Sequence, residues 1–319
     1  MMDKLTASLH LPVIGSPMFI VSGPELVIAQ CQAGIIGAFP ALNARPAEVL
    51  REWLAQITQH LAQYNQAHPD APAAPFAVNQ IVHPTNDRLE HDVALCAEFE
   101  VPLVITSLHA PNRVVEQVHG YGGLVFHDVT TLRHARKAVD AGVDGLILVC
   151  QGAGGHAGRL NPFAFVAEVR RFFDGPLVLA GAITKGEQIA AARALGADLV
   201  YMGTRFIATR EARAQPEYKQ MVLDAAAADI VYTNLFTGVH GNYLRQSIEQ
   251  AGLDPDALPE SDKSAMRYGS GGSSKSKAWR DIWGAGQGVG AIDTLGSVAD
   301  EVATLKADYQ KALDHLRRL

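Results

Sequence analysis

The chain has 319 residues, of which 48% are hydrophobic and 19% charged, a composition that supports a sizeable packed core and excludes a disordered polymer. A formal net charge of -6, with no Lys/Arg cluster longer than two, argues against a protein that grips a nucleic-acid backbone. Three cysteines, Cys31, Cys96 and Cys150, with no Cys-x-x-Cys or Cys/His spacing, point to neither a disulfide framework nor a zinc or other metal site. No apolar run reaches the ~18 residues of a spanning helix, so the sequence reads as soluble and cytoplasmic.

From the N-terminus to about residue 210, short β-branched apolar runs alternate with longer amphipathic stretches, the signature of βα units around a parallel sheet. Eight strands are predicted, over residues 12–19, 34–40, 76–82, 103–108, 123–129, 145–150, 176–182 and 199–206. Helices are predicted between them, over 24–32, 47–64, 131–141, 162–173 and 186–195, with Thr130 and Asn161 as caps. The rhythm then changes. Residues 211–228 read as helix, 232–250 as a strand or turn followed by helix, and 261–277 as a mobile loop rich in Ser, Gly and Lys. The last stretch, 297–319, carries Val298, Val302, Leu305, Tyr309, Leu313 and Leu316 at helical spacing and should pack back on the body of the protein.

Eight strands without a Gly-x-Gly-x-x-Gly turn after the first favour closure over a doubly wound sheet. The expected fold is an α/β (β/α)8 TIM barrel, residues 1–210 plus 288–319, with a smaller helical lid, 211–287, inserted near the C-terminus. Barrel chemistry sits at the C-terminal ends of the strands, which directs attention to Ser16-Pro17-Met18, Asn79-Gln80, Ser107, His127-Asp128, Ala180-Gly181-Ala182 and Gly203-Thr204.

Glycine turns after the seventh and eighth strands suit a phosphate-bearing ligand, because small residues let backbone N–H groups approach an anion and Thr204 adds a hydroxyl. Tight packing alone would also explain either turn. The run from Gln151 to Gly158 has four glycines in eight residues and is expected to lack regular structure, leaving backbone on which a ring can lie. Within it His156 is the candidate catalytic residue, able to move a proton near neutral pH or hold an anion. His127 and His240 either face the pocket or serve the core and the lid. Lys185 reads as a solvated residue at a helix start, and Gln287, in the glycine-dense run 282–290, as a ring contact.

Pro17-Met18, Asn79, Ala153-Gly154-Gly155-His156, Ala180-Gly181-Ala182-Ile183, Met202-Gly203-Thr204-Arg205-Phe206 and Gly286-Gln287, in this order, resemble the nitronate monooxygenases, once called 2-nitropropane dioxygenases. The likeness spans most of the chain. It implies an FMN cofactor cradled by Pro17, Met18, Asn79, His127, Gly154, Gly155, Ala180, Gly181, Ala182, Met202, Gly203, Thr204 and Gln287, with His156 catalytic. It further implies that a nitronate or nitroalkane is converted with O2 to a carbonyl compound and nitrite, His156 binding the anion or acting as base. The chain departs from many members in having Val149-Cys150 where they carry Gln-Gly, Gly152 in an acidic position, and His127-Asp128 where some carry a basic residue.

The same motifs occur in FMN barrels that use NAD(P)H to reduce a quinone or an enoyl thioester, and Lys263, Arg267, Lys275 and Lys277 would suit a nucleotide phosphate in that case. A sugar-phosphate isomerase and a phosphate-ligand binding protein without catalysis are the readings outside redox chemistry. The isomerase needs an acid and base pair, for which Asp128 is the second candidate beside His156. The sequence leaves the oligomeric state open.

Overall fold

The computed structural model describes residues 5–261 and 282–318. Eight parallel strands form one sheet: β1 (Val13–Gly15), β2 (Gly37–Pro40), β3 (Phe76–Val82), β4 (Leu103–Leu108), β5 (Leu124–Val129), β6 (Gly145–Val149), β8 (Leu177–Ala180) and β9 (Leu199–Met202). Their order, β1-β9-β8-β6-β5-β4-β3-β2, closes on itself through a parallel bridge between Ile14 and Ile36, which makes the sheet a barrel. Helices cover the outside in the gaps where the sequence predicts them, and two more, Leu89–Glu98 and Asn112–Gly120, complete the alternation.

Strand alternation sorts the apolar residues into two layers. Ile14, Ile36, Ala38, Ala77, Leu103, Ile105, Leu124, Phe126, Ile147, Val178 and Leu199 fill the barrel interior. Val13, Val78, Val104, Val125, Leu146, Leu148, Leu177, Leu179, Val200 and Met202 face the helices.

Four local expectations are corrected. The first and last barrel strands end sooner than predicted: Ser16 and Pro17 leave the sheet after β1, and Thr204–Ile207 is a helical turn because Gly203 breaks the ladder after Met202. The helix after β5 is capped by Thr131, whose side chain accepts from the His134 amide, and not by Thr130; Asn161 caps as expected. The predicted helix 211–228 shrinks to Pro216–Asp224, since Pro216 fixes the first turn. The glycine-rich loop does contain regular structure: β7 (Gly155–His156) pairs antiparallel with β11 (Gly241–Leu244), which pairs with β10 (Ile230–Thr233). The region expected to be a helical lid therefore also supplies two strands of a small sheet that captures the His156 loop. The basic residues Lys263, Arg267, Lys275 and Lys277, and nearly all of the predicted mobile loop, lie outside the described residues.

The final helix, Val298–Leu316, is capped by Ser297, which exchanges hydrogen bonds with Asp300 in a capping box. It crosses the Gly186–Leu195 helix at backbone contact, for a Cβ on Gly186 would lie 2.3 Å from the Leu305 carbonyl. A buried ion pair between Arg205 and Glu301, side chains 7% and 5% exposed, ties this helix to the turn after β9, and Arg205 Nη1 also donates to the Ala291 carbonyl at 3.2 Å. Glu301→Ala leaves the guanidinium buried without its counter-charge and is expected to cost about 3 kcal/mol. Urea unfolding monitored by far-UV circular dichroism measures this directly.

Candidate functional site

The rim at the strand C-termini is shaped first by the loop after β1. Asn43 holds it through three bonds: its Nδ2 donates to the Met18 and Ser22 carbonyls, both at 2.9 Å, and its Oδ1 accepts from the Ile20 amide at 3.0 Å. Ile20 sits at φ 58°, a conformation that a β-branched residue adopts only when its surroundings impose it. Pro17 and Met18 are thus presented on a clamped loop, beside Gly203.

The loop after β6 meets the segment around Gly286 and Gln287 with no room for side chains between them. A Cβ on Gly154 would lie 2.9 Å from the Gly286 amide nitrogen and 3.2 Å from Thr204 Oγ1, while one on Gly286 would lie 2.6 Å from the Gly152 carbonyl. The Gln287 amide donates to that same carbonyl at 2.9 Å, and the Gly286 amide to Thr204 Oγ1 at 2.9 Å. Gly181, at φ +136°, packs against the Gln151 carbonyl, and Ala182 follows at φ 53°, a second non-glycine residue in the left-handed region. Gly152, Gly154, Gly181, Ala182, Thr204 and Gln287 therefore converge at one place on the rim. A Cβ on Gly155 would meet none of the described residues within 4 Å, so space is open at that residue.

His156 is held by strand pairing with Gly241 and by its Nε2, 3.0 Å from Thr237 Oγ1. Thr237 spends its only proton on the Val239 carbonyl at 2.9 Å, so it must accept from the histidine, and the neutral ring carries its hydrogen on Nε2. Burial draws the imidazole down from 6.5 to about 4. Thr237 was not a candidate from sequence, nor was Asn242, whose Nδ2 donates to the Ala153 carbonyl at 2.6 Å. Their signal lay in the run around His240, whose ring stacks on Tyr232 and whose carbonyl accepts from the Ala157 amide.

Inside the barrel mouth, Asn79 Nδ2 donates to Ser107 Oγ at 2.9 Å, and Ser107 Oγ donates to Asp128 Oδ2 at 2.6 Å. Two expected contacts point elsewhere. His127 alternates with Phe126 and Asp128, and so faces the helix layer, 3% exposed, with Nδ1 2.8 Å from Thr106 Oγ1. Met202 is likewise turned outward, with its backbone carbonyl accepting from the Ser16 amide. Ala180 lies at the end of β8 beside Gly181. Lys185 occupies the N-cap of the Gly186–Leu195 helix, its amide donating to Gln188 Oε1 at 3.0 Å. Among the described residues no group of three or more His, Cys, Asp or Glu side chains could hold a metal ion, and no helix is long and apolar enough to cross a membrane.

The nitronate monooxygenase family model matches residues 2–308. The nitronate monooxygenase of Paraburkholderia phytofirmans is 28% identical, with 96% of this chain and 94% of that protein covered. FabK from Thermotoga maritima superposes with a TM-score of 0.77 at 26% identity over 99% of this chain and 97% of its own. A nitroalkane oxidase from Streptomyces ansochromogenes shares the fold, with a TM-score of 0.78 at 24% identity over 98% and 99% of the two chains.

Burial also lowers His127 from 6.5 to about 4. Between those values the unfolded chain binds more protons than the folded one, so this residue's contribution to stability is present above about 6.5 and is lost as pH falls toward 4. At about 1.4 kcal/mol per unit, the full effect is on the order of 3 kcal/mol. Asp128, raised from 3.8 to about 7, acts in the opposite sense over the same window, which makes the comparison with a variant the decisive one. His127→Gln should lose less stability than wild type between pH 7 and pH 5 in urea titrations; equal slopes would show that His127 remains protonatable in the fold.

Proposed function

Since the chain belongs to the nitronate monooxygenase family and is by that membership an oxidoreductase, we propose that it oxidises a nitronate with O2 to a carbonyl compound and nitrite, with FMN as cofactor and His156 in contact with the substrate. The observation that carries this reading is the cradle in which backbone from the loop after β6, the turns after β8 and β9 and the Gly286-Gln287 segment meet, opening at Gly155 next to His156.

The residues present fit a flavin mononucleotide. Gly181, Ala182, Gly203 and Thr204 are the group expected to hold the phosphate, and Thr204 Oγ1, which accepts from the Gly286 amide, still has a proton to donate. Met18, Asn79, Gly154, Gly155 and Gln287 would border the ring. The bound flavin would supply the electron transfer that protein side chains lack. His127 and the Met202 side chain take no part in this cradle, because alternation turns both outward.

The environment of His156 favours anion binding over proton abstraction. An imidazole lowered to about 4 is a weak base and a poor match for a carbon acid. A nitronate placed beside it supplies the negative charge that burial withholds, and this favours the protonated ring and its hydrogen bond to the substrate. Thr237 fixes the ring's orientation from behind. Residues 211–287 act in this reading as the lid, delivering Thr237 and β11 to the site.

His156→Ala should keep its flavin absorbance and lose at least about a hundredfold in kcat/KM with a preformed nitronate; wild-type turnover would remove His156 from the mechanism. Gly181→Val should bind FMN more weakly, since its Cβ would lie 2.7 Å from the Gln151 carbonyl at a φ that valine avoids. Flavin-to-protein absorbance ratios after gel filtration read this out. An anaerobic spectrum decides between the chemistries: bleaching by a nitronate supports the proposal, whereas bleaching by NADH alone assigns the protein to the reductases.

A further inference from the structure

Two buried polar atoms in the barrel mouth have no hydrogen-bond partner among the described residues: Oδ1 of Asp128, on β5, and the hydroxyl of Tyr201, on β9. Leaving either group unsatisfied is costly, on the order of 1–3 kcal/mol each. Both side chains occupy inward positions by alternation, on strands separated in the barrel by β6 and β8. The carboxylate is not free to turn away, because Ser107 donates to its other oxygen and is itself held by Asn79. A relay from β3 and β4 therefore aims Oδ1.

An ionised carboxylate only accepts and a phenol can donate, so together the two atoms complement a ring edge that carries an N–H beside a C=O. We propose that Asp128 and Tyr201 form the seat for such an edge, as found at the pyrimidine end of a flavin, Asp128 accepting from the ring N–H and Tyr201 donating to the carbonyl. This rests on the cofactor reading above.

A proton is linked to that seat. The inward positions of the other strands are, by alternation, Asn79 and Ser107 on β3 and β4, Val149 and Ala180 on β6 and β8, Ile14 and Ala38 on β1 and β2, and Tyr201 on β9; of these Ser107 bonds Asp128 directly. Tyr201 is the titratable one among these, and burial together with Asp128 pushes its ionisation well up. His127 lies on the opposite face of β5, and His156 stands on the loop above β6. Burial raises Asp128 to about 7, so the free protein holds this carboxyl partly protonated near neutrality. A ring N–H prefers the ionised form, so binding releases the proton and affinity rises with pH through that value. If Asp128 is ionised in the complex across this range, the gain from pH 6 to pH 8 is about tenfold.

The test is fluorescence titration of the flavin-free protein with FMN, and in parallel with riboflavin, at pH 6, 7 and 8. Riboflavin keeps the ring and lacks the phosphate, so a slope common to both ligands comes from the ring's seat. Wild type should tighten about tenfold from pH 6 to pH 8 with either ligand. Asp128→Asn should lose the slope, and Tyr201→Phe should keep it while binding several-fold more weakly at every pH. Thermal midpoints confirm that the variants are folded, and the wild-type slope is a readout that needs no variant. Tight binding by wild type with no slope for riboflavin, or a slope unchanged in Asp128→Asn, overturns the seat and leaves the cofactor reading standing. Failure of wild type to bind either flavin overturns both.

Discussion

The site depends on one steric constraint: the loop after β6 and the segment around Gly286 cross at backbone contact. With a Cβ on Gly154 placed 2.9 Å from the Gly286 amide, and one on Gly286 placed 2.6 Å from the Gly152 carbonyl, neither position accepts a side chain without separating the two segments. The crossing brings Gln287 to the cradle, fixes Thr204 through the Gly286 amide, and leaves Gly155 and His156 to pair with β11. The proposed cradle and the catalytic candidate both follow from the same close approach. Ordering so much loop costs conformational entropy, and the bonds from Gln287 to Gly152 and from Asn242 to Ala153 offset part of that cost.

Among the described residues four non-glycine residues hold positive φ; Ile20, Leu108 and Ala182 lie on the same rim, and Glu100 precedes β4 at the other end of the barrel. Ile20 and Ala182 both hold positive φ, one in the loop after β1 and one in the turn after β8. Ile20 is kept there by Asn43, and Ala182 by the crowding of Gly181 and Gly152. The barrel below has no need of either conformation. A scaffold whose interior is filled by Ile14, Ile147, Val178 and their neighbours is rigid enough to impose them, and it thereby presents Met18 and the β8 turn in fixed positions.

The barrel was legible because most strands are short apolar runs bounded by breakers, and the turn residues after them, such as Gly181 and Thr204, lie at the rim. The orientation of individual side chains was less legible. His127 and Met202 follow the pattern of their neighbours in sequence, yet their place in the alternation turns them outward, and a one-residue difference in parity is enough to do so. β7 was missed because two residues, one of them glycine, carry no periodic signal, and the strand exists through pairing with β11, far away in the chain. Thr237 was passed over for the same reason. Its role follows from a contact with His156 that no local pattern encodes.

Burial acts in opposite directions on His156 and Asp128. It strips the charge from His156, drawn down to about 4, and brings Asp128 up to about 7, so the free protein presents less charge there than two exposed groups of these types would at acidic pH. On the proposed reading each group is adjustable by what binds beside it: an anionic substrate would restore a proton to the histidine, and a hydrogen-bond donor would remove one from the aspartate. The two adjustments have opposite signs in net charge, positive near His156 and negative near Asp128, so they attract across the site and each makes the other easier. Between groups withdrawn from solvent such coupling is stronger than it would be on the surface. On this reading Asp128 sets the site's electrostatic balance, while the backbone crossing of the β6 loop and the Gly286 segment does not depend on it.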